Sequence, residues 1–303
     1  MNDIKFDIIG KRNWWFVITA LLIIPGLISM AVQGFNLGID FTGGTLVDIK
    51  FARPVTVTEV RDVLKDTHLE NSTIQLAGDS TQSLNVLIRT RVLEEQERRD
   101  MLSGLEERFG KFEVLRTEKV GAIIGSELTR QALIALALSW VIMVAYITYR
   151  FEFKFAISGI IKLVHDVLVV LGAFSLLRLE VDSSFVAALL TIVGYSINDA
   201  IVIFDRVREN MRSYRKTDSF KDLVNRSIWQ TMTRSIYTVM TVLFGVIALY
   251  FFGGETTKNF ALALIIGFSI GAYSSIFLAS PLWVMLKEMA ERKRIAERAK
   301  GLK

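Results

Sequence analysis

An ionised carboxylate in the middle of a membrane-length apolar helix costs roughly 2.5–3.5 kcal/mol on insertion scales, so a chain that keeps one needs a partner, a cavity or a use for it. This sequence keeps several. The run Ser184–Phe204 contains Ser196, Asn198 and Asp199, a polar cluster in an otherwise apolar stretch, and Asp205-Arg206 follows at its end. Asp199 precedes Asp205 by a stretch of helix that rises about 9 Å and turns through about 600°. The two carboxylates therefore lie on different faces: Asp205 is expected at the interface in a structural role, and Asp199 is the buried group. In the next apolar run, Arg234 stands before the uninterrupted stretch that begins at Ile236. Counted from the far ends of the two helices, at Phe252 and Phe185, Arg234 lies about 18 residues in and Asp199 about 14, a mismatch of about 6 Å. A long Arg side chain spans that gap, so an Asp199–Arg234 pair is allowed wherever these helices are neighbours. His165-Asp166 falls almost at the midpoint of another apolar run. Carboxylates and imidazoles at such depth form the relays of proton-driven transporters, and they serve equally as polar contacts that stitch helices together. The chemistry to expect is the binding and release of protons.

Covalent catalysis fits less well. Asp166 and Asp199 could be read as the dyad of an intramembrane aspartyl protease, two carboxylates sharing one proton. No Gly-x-Gly-Asp segment precedes either residue, and an adjacent Arg234 would hold a carboxylate ionised rather than let it share. Nucleophilic hydrolysis has little to draw on, since the only histidines are His68 and His165 and cysteine is absent. The chain is therefore not expected to be an enzyme, and no cofactor or metal is expected.

The elements that position these groups are legible in the hydropathy. Of the 303 residues, 51% are apolar, and the mean hydropathy is +0.40. Runs low in charge occupy 13–35, 131–149, 155–177, 184–204, 235–252 and 259–286, each near the roughly 20 residues that cross a hydrocarbon core. A fold with six transmembrane helices follows. The first run is too long for a signal-peptide core, carries Trp14 and Trp15 at its inner edge, and lacks an Ala-x-Ala site before Gln33, so it reads as a retained helix.

Orientation comes from the basic residues. Lys5, Lys11 and Arg12 precede the first helix, and Arg150 and Lys154 occupy the turn after the second. Arg206, Arg208, Arg212, Arg215, Lys216, Lys221 and Arg226 follow the fourth helix, and Lys287, Arg292, Lys293, Arg294, Arg298, Lys300 and Lys303 fill the tail. The opposite turns offer only Arg178 and Lys258. Both termini are thus placed in the cytoplasm. The same count explains the net charge of +5 without nucleic acid, because the surplus lies where the positive-inside rule puts it.

Residues 36–120 differ in character, with charges throughout and short alternating runs. Thr45–Ala52 alternates as a strand, Val57–Thr67 has helical spacing, Ser72–Ala77 and Leu84–Thr90 are strand-like about a turn at Gly78-Asp79-Ser80, Leu93–Phe109 is an amphipathic helix, and Phe112–Val120 alternates again. The order βαββαβ is that of a ferredoxin-like α+β domain on the outer side of the membrane. The chain divides into 1–35 (N-terminus and first helix), 36–120 (periplasmic domain), 121–286 (helices two to six) and 287–303 (basic tail). Gly267-x-x-x-Gly271 with Ser274 and Ser275 forms a small-residue face suited to close helix packing.

The segment Gly38-Ile39-Asp40-Phe41-Thr42-Gly43-Gly44-Thr45, followed by Gly194-Tyr195-Ser196-Ile197-Asn198-Asp199 and Phe204-Asp205-Arg206-Val207-Arg208-Glu209-Asn210, resembles SecF-type members of the bacterial SecD/SecF protein-export family. His165-Asp166 and Gly253-Gly254 are similar to the same pattern. The resemblance runs from the first helix to the last. It implies resistance-nodulation-division architecture in the inner membrane, pairing with SecD, and assistance to the SecYEG channel and its translocating preproteins by the proton-motive force, with further small accessory membrane subunits. It also implies that the family's transmembrane Asp falls on Asp199 and its helix-five Arg on Arg234. Where the family commonly shows Arg-Thr and then Thr-Ser, this chain has Arg234-Ser235-Ile236-Tyr237-Thr238. A half-transporter for lipids or drugs is the alternative; it requires an aromatic-lined cleft in 36–120, where the aromatics are few (Phe41, Phe51, Phe109 and Phe112) and charges many.

Overall fold

The computed structural model describes residues 6–76, 81–212, 219–299 and 301. Ala77, the turn expected at Gly78-Asp79-Ser80, and the basic residues Lys5, Arg215, Lys216, Lys300 and Lys303 lie outside the described residues. In chain order the elements are α1 (Arg12–Gln33), β1 (Asn36–Leu37), α2 (Ile39–Thr42), β2 (Gly44–Val55), α3 (Val57–Asp66), β3 (Thr73–Leu76), β4 (Ser83–Thr90), α4 (Glu95–Phe109) and β5 (Phe112–Val120). They continue with α5 (Ala122–Arg150), α6 (Phe153–Leu176), β6 (Glu180–Val181), α7 (Ser183–Met211), α8 (Phe220–Phe252), α9 (Glu255–Ser274), a π-helical turn (Ser275–Ala279) and α10 (Ser280–Ala299). Among the described residues, six helical stretches are long and apolar enough to cross a membrane: α1, α5, α6, α7, α8 and the continuous Thr256–Arg298.

The helices outrun the apolar stretches that announce them. The run at 235–252 becomes α8 from Phe220, and the run at 131–149 becomes α5 from Ala122, because hydropathy marks the part suited to lipid, whereas a helix continues for as long as its backbone bonds and caps support it. Asp182 caps α7 by accepting from the Phe185 amide at 2.8 Å, and the Ser219 hydroxyl caps α8 by accepting from the Asp222 amide.

The chain forms two units, one comprising residues up to Asn36 and from Ala135 onward, the other Leu37–Ile134. The second contains a four-stranded antiparallel sheet in the order β3-β4-β2-β5. Strand β2 is central: Val47 pairs with Ile88 on β4 and with Thr117 on β5. Helices α3 and α4 supply Val60, Leu64, Met101 and Leu105 to the core beside Val47, Ile49, Val86 and Ile88, all buried. Each helix begins with a capping box, Thr56 with Glu59 and Glu94 with Glu97. Phe51 packs edge-on against Phe109 at 5.1 Å and Phe112 at 5.5 Å, so three of the four aromatics of this segment go into one cluster.

In the same unit the expected motif at Gly38, Asp40, Gly43 and Gly44 is a tight turn. Gly38 caps the single-turn helix α2, which contains Asp40 and ends at Gly43. Gly43 and Gly44 have φ of +69° and +140°, values that favour glycine. A Cβ on Gly44 would sit 2.5 Å from the Thr90 carbonyl oxygen, so only glycine lets β2 start there.

In the helical unit, Phe155 of α6 stacks on Trp283 of α10 at 4.1 Å and meets Phe204 of α7 at 4.5 Å. The residues before α1 are tied to the start of α8. Asn225, 1% exposed, accepts from the Ile8 and Ile9 amides at 3.0 and 3.1 Å and donates to Asp7 Oδ1 at 2.6 Å. Trp15 and Trp229 donate their indole N–H groups to the Ile8 and Phe6 carbonyls, each at 3.0 Å.

Candidate functional site

The buried ionisable groups of the helical unit, Lys162, His165, Asp166 and Asp199, gather where α6, α7, α8 and α9 pack together. On α6, Lys162 and Asp166 are one helical turn apart and form an ion pair at 3.0 Å, with both side chains wholly buried. Lys162 Nζ also donates to Ser196 on α7, to its Oγ at 2.5 Å and to its backbone carbonyl. The Ser196 hydroxyl in turn donates to Asp166 Oδ2 at 2.5 Å, which closes a triangle across two helices. The second Asp166 oxygen, Oδ1, lies 3.0 Å from His165 Nδ1. From α9, the Ser274 hydroxyl lies beside Asp166 while donating to the Gly271 carbonyl at 3.2 Å. A buried charge is tolerated only when paired and hydrogen-bonded on all sides, and Asp166 meets that condition. A carboxylate held in this way does not suit a dyad that shares a proton.

Small residues make the approach possible. A Cβ added to Gly271 would lie 3.6 Å from Ser196, and one on Gly267 would come within 2.4 Å of Ile192. The Gly267-x-x-x-Gly271 face is therefore the seat of α7 on α9. The π-helical turn begins at Ser275, immediately after this contact.

Asp199 occupies the same buried face of α7 as Ser196, one turn further on, and is 6% exposed. Its neighbour on α8 is Ser235, 2% exposed, whose hydroxyl stands next to the carboxylate without completing a hydrogen bond. Arg234 is exposed. Its charge reaches Asp199, but among the described residues the two form no direct ion pair. The reason is rotational: successive helical residues point about 100° apart, so with Ser235 turned toward α7 its predecessor turns away. Asp205 is half-buried on another face and binds Arg150 at 3.3 Å and Arg208 at 3.0 Å, a structural arrangement.

Asn198 points outward. With Tyr195 and Gly194 it lines a groove of about 460 Å³ against Ile142, Met143 and Tyr146 of α5. Three buried polar atoms of these helices, Tyr195 Oη at the groove and His165 Nε2 and Ser235 Oγ in the cluster, lack a protein partner among the described residues; such atoms are where ordered water is expected.

The structure thus brings His165, Asp166, Ser196 and Asp199 into one neighbourhood, leaves Arg234 beside it, and turns Asn198 outward into the groove against α5. Lys162 was not among the residues expected from sequence. A signal for it exists, since Lys and Asp four residues apart inside a single apolar run share a helix face.

Six membrane-length apolar helices, four of which enclose lysine, histidine and aspartate, define an integral membrane protein whose bundle interior is built to hold charge. Residues 100–289 match the family described as protein export membrane protein SecD/SecF, C-terminal, and residues 28–55 match the SecD/SecF GG motif. The chain is 52% identical over 291 residues to protein translocase subunit SecF of Acidaminococcus fermentans, covering 95% of this chain and 99% of that one. It is 41% identical to the subunit of that name from Sebaldella termitidis, over 94% and 92% of the two chains. The crystal structure of SecDF, a translocon-associated membrane protein from Thermus thermophilus, superposes with a TM-score of 0.86 at 36% identity. That match covers 95% of this chain and 40% of the SecDF chain, so the chain spans well under half of that larger protein. The chain belongs to the SecD/SecF family of protein-export membrane proteins, on the SecF side of it.

Proposed function

We propose that the chain is an auxiliary subunit of the Sec export machinery, working with a SecD partner beside SecYEG and coupling the proton-motive force to outward movement of translocating preproteins. Asp199 is the proton-binding group, and Arg234 is the cation that answers its change of charge. The observation that carries this reading is the state of Asp199: a carboxylate buried in the bundle, beside Ser235, with no direct counter-ion among the described residues. A group so placed changes its surroundings when it gains or loses a proton, whereas the fully satisfied Asp166 does not. Charge moving through the site has ample drive, since one charge crossing 100 mV is worth about 2.3 kcal/mol.

The partner is supported by the SecDF superposition, in which this chain accounts for 40% of a longer protein. It is supported too by α5, whose apolar residues Leu133, Leu138, Val141 and Ile142 are exposed over a long helix face. The sheet unit reads as a ferredoxin-like domain in the periplasm. Counting only its own strands, the order is fourth, first, third, second, with two helices between them in sequence, the arrangement of a split βαβ fold. Three of its four phenylalanines, Phe51, Phe109 and Phe112, pack together at its core, which favours this reading over an exporter of lipids or drugs. With the basic loops facing the cytoplasm, both termini lie there.

Proton flux in vesicles holding the chain with its SecD partner tests the role of Asp199. Asp199→Asn is expected to abolish the flux stimulated by an imposed gradient while leaving the protein inserted and folded. Flux unchanged by that substitution would remove Asp199 from the pathway.

A further inference from the structure

Lys162 has no place in the scheme above, yet it is the cation most deeply set in the bundle. Its Nζ is fixed at three points, the Asp166 carboxylate on α6 and the hydroxyl and carbonyl of Ser196 on α7. Ser196 precedes Asp199 by three residues on α7 and both are buried, so they share a face about 4.5 Å apart along the axis. A charge pinned to the carbonyl of residue 196 therefore stands beneath the Asp199 carboxylate in a water-poor interior, where screening is weak. Among the described residues, Lys162 of α6, Tyr195 of α7 and Arg234 of α8 are the charged and titratable groups that act on Asp199, while His165 and Asp166 of α6 stand on the far side of Lys162 and Ser274 of α9 lies beside Asp166. Lys162 is wholly buried, so its charge acts through a water-poor interior, whereas Arg234 is exposed and its charge is screened.

We propose that Lys162 is a positioning residue for the coupling carboxylate: held between Asp166 and Ser196, it supplies the fixed positive charge against which Asp199 binds and releases its proton. Asp166 acts as the leash. It neutralises most of the lysine's field and keeps the ammonium from closing on Asp199, so that Asp199 remains free to be protonated. Arg234, on the exposed side of α8, is then the mobile member of the set and Lys162 the static one. This inference rests on the role given to Asp199.

The test reads Asp199 itself. The full chain, with its SecD partner in lipid vesicles, is labelled with ¹³C-aspartate, and the Asp199 carboxylate is followed by infrared difference spectroscopy against Asp199→Asn as pH is varied. Lys162→Met should raise the titration midpoint by about one pH unit, and Lys162→Arg should return it toward the native value. Asp166→Asn keeps the shape of the cluster and frees the lysine's charge, so its midpoint should fall. Opposite shifts from two neighbouring substitutions are not produced by mere loosening of the bundle, and the second variant serves if the first does not fold. Midpoints within about 0.3 unit of native in both variants, or shifts of the same sign, would overturn the proposal. The titration is independent of export, so loss of the coupling role for Asp199 would show separately, as normal proton flux in Asp199→Asn.

Discussion

Gly26 of α1 and Gly172 of α6 pack backbone against backbone: a Cβ on either would lie 2.7 Å from the other's Cα. One turn further along, Ser29 and Ser175 share a hydrogen bond at 2.8 Å, and the Ser175 hydroxyl also lies 2.8 Å from the Gly34 carbonyl oxygen. The helix that bears Lys162 and Asp166 is thereby fastened, over its last turns, to the helix that leads into the sheet unit. In a membrane, where small residues permit close packing that the hydrophobic effect does not drive, this seam joins α1 and α6 into one body.

Gly172→Val is accordingly expected to part the two helices. Overpacking of this kind costs about 1–3 kcal/mol. Thermal unfolding in detergent should show a clear loss of stability, and Leu171→Val, on the partly exposed neighbouring face, should show little.

The N-terminal tether depends on one side chain. Asn225→Ala leaves the Ile8 and Ile9 amides and the Asp7 carboxylate without their shared partner, and an unsatisfied buried donor costs about 1–3 kcal/mol. Proteolysis between Phe6 and Arg12 should become fast in the variant while the remainder of the bundle resists. Equal protection in both proteins would mean that the indole bonds of Trp15 and Trp229 suffice.

In the sheet unit, Glu97 accepts two hydrogen bonds from Arg91, at 2.7 and 3.0 Å, and one from the amide of Glu94. These bonds, with Arg91 foremost, lower its pKa to about 2 from an ordinary 4.5. A depressed carboxylate stabilises the fold above its unfolded pKa and loses that contribution as pH falls toward the folded value. Stability should decline between about pH 4.5 and 2, and Glu97→Gln should flatten part of that decline. The pair is exposed, so added salt should shrink the effect.

How much of this could be read beforehand varies with the physics of each element. The apolar runs and the alternation of 45–52 and 112–120 are local patterns, and the corresponding helices and strands stand where these patterns put them. Strand order is not local; nothing in residues 84–90 says that they lie beside β2. At the site, Asp199 was legible because an acid in an apolar helix is conspicuous. The direct Asp199–Arg234 pair that axial depth allows is not formed among the described residues, because depth fixes only one of the two coordinates of a helical side chain and rotation places Ser235 there instead. Lys162 escaped notice because a single lysine hardly lowers the hydropathy of 155–177. Its pairing with Asp166 needed the 3.6-residue period, and its grip on Ser196 needed the packing of α6 on α7. The tether at Asn225 joins residues more than two hundred positions apart, and no local signal marks it.

The most direct measurement is export of a secretory precursor in membranes that carry this chain with its SecD partner, with and without an imposed proton-motive force, for the native form and for Asp199→Asn. The variant is expected to insert normally and to lose the force-dependent part of export while keeping the remainder. Force-dependent export at the native rate in Asp199→Asn would contradict the account and leave Asp199 as a structural polar contact between α7 and α8.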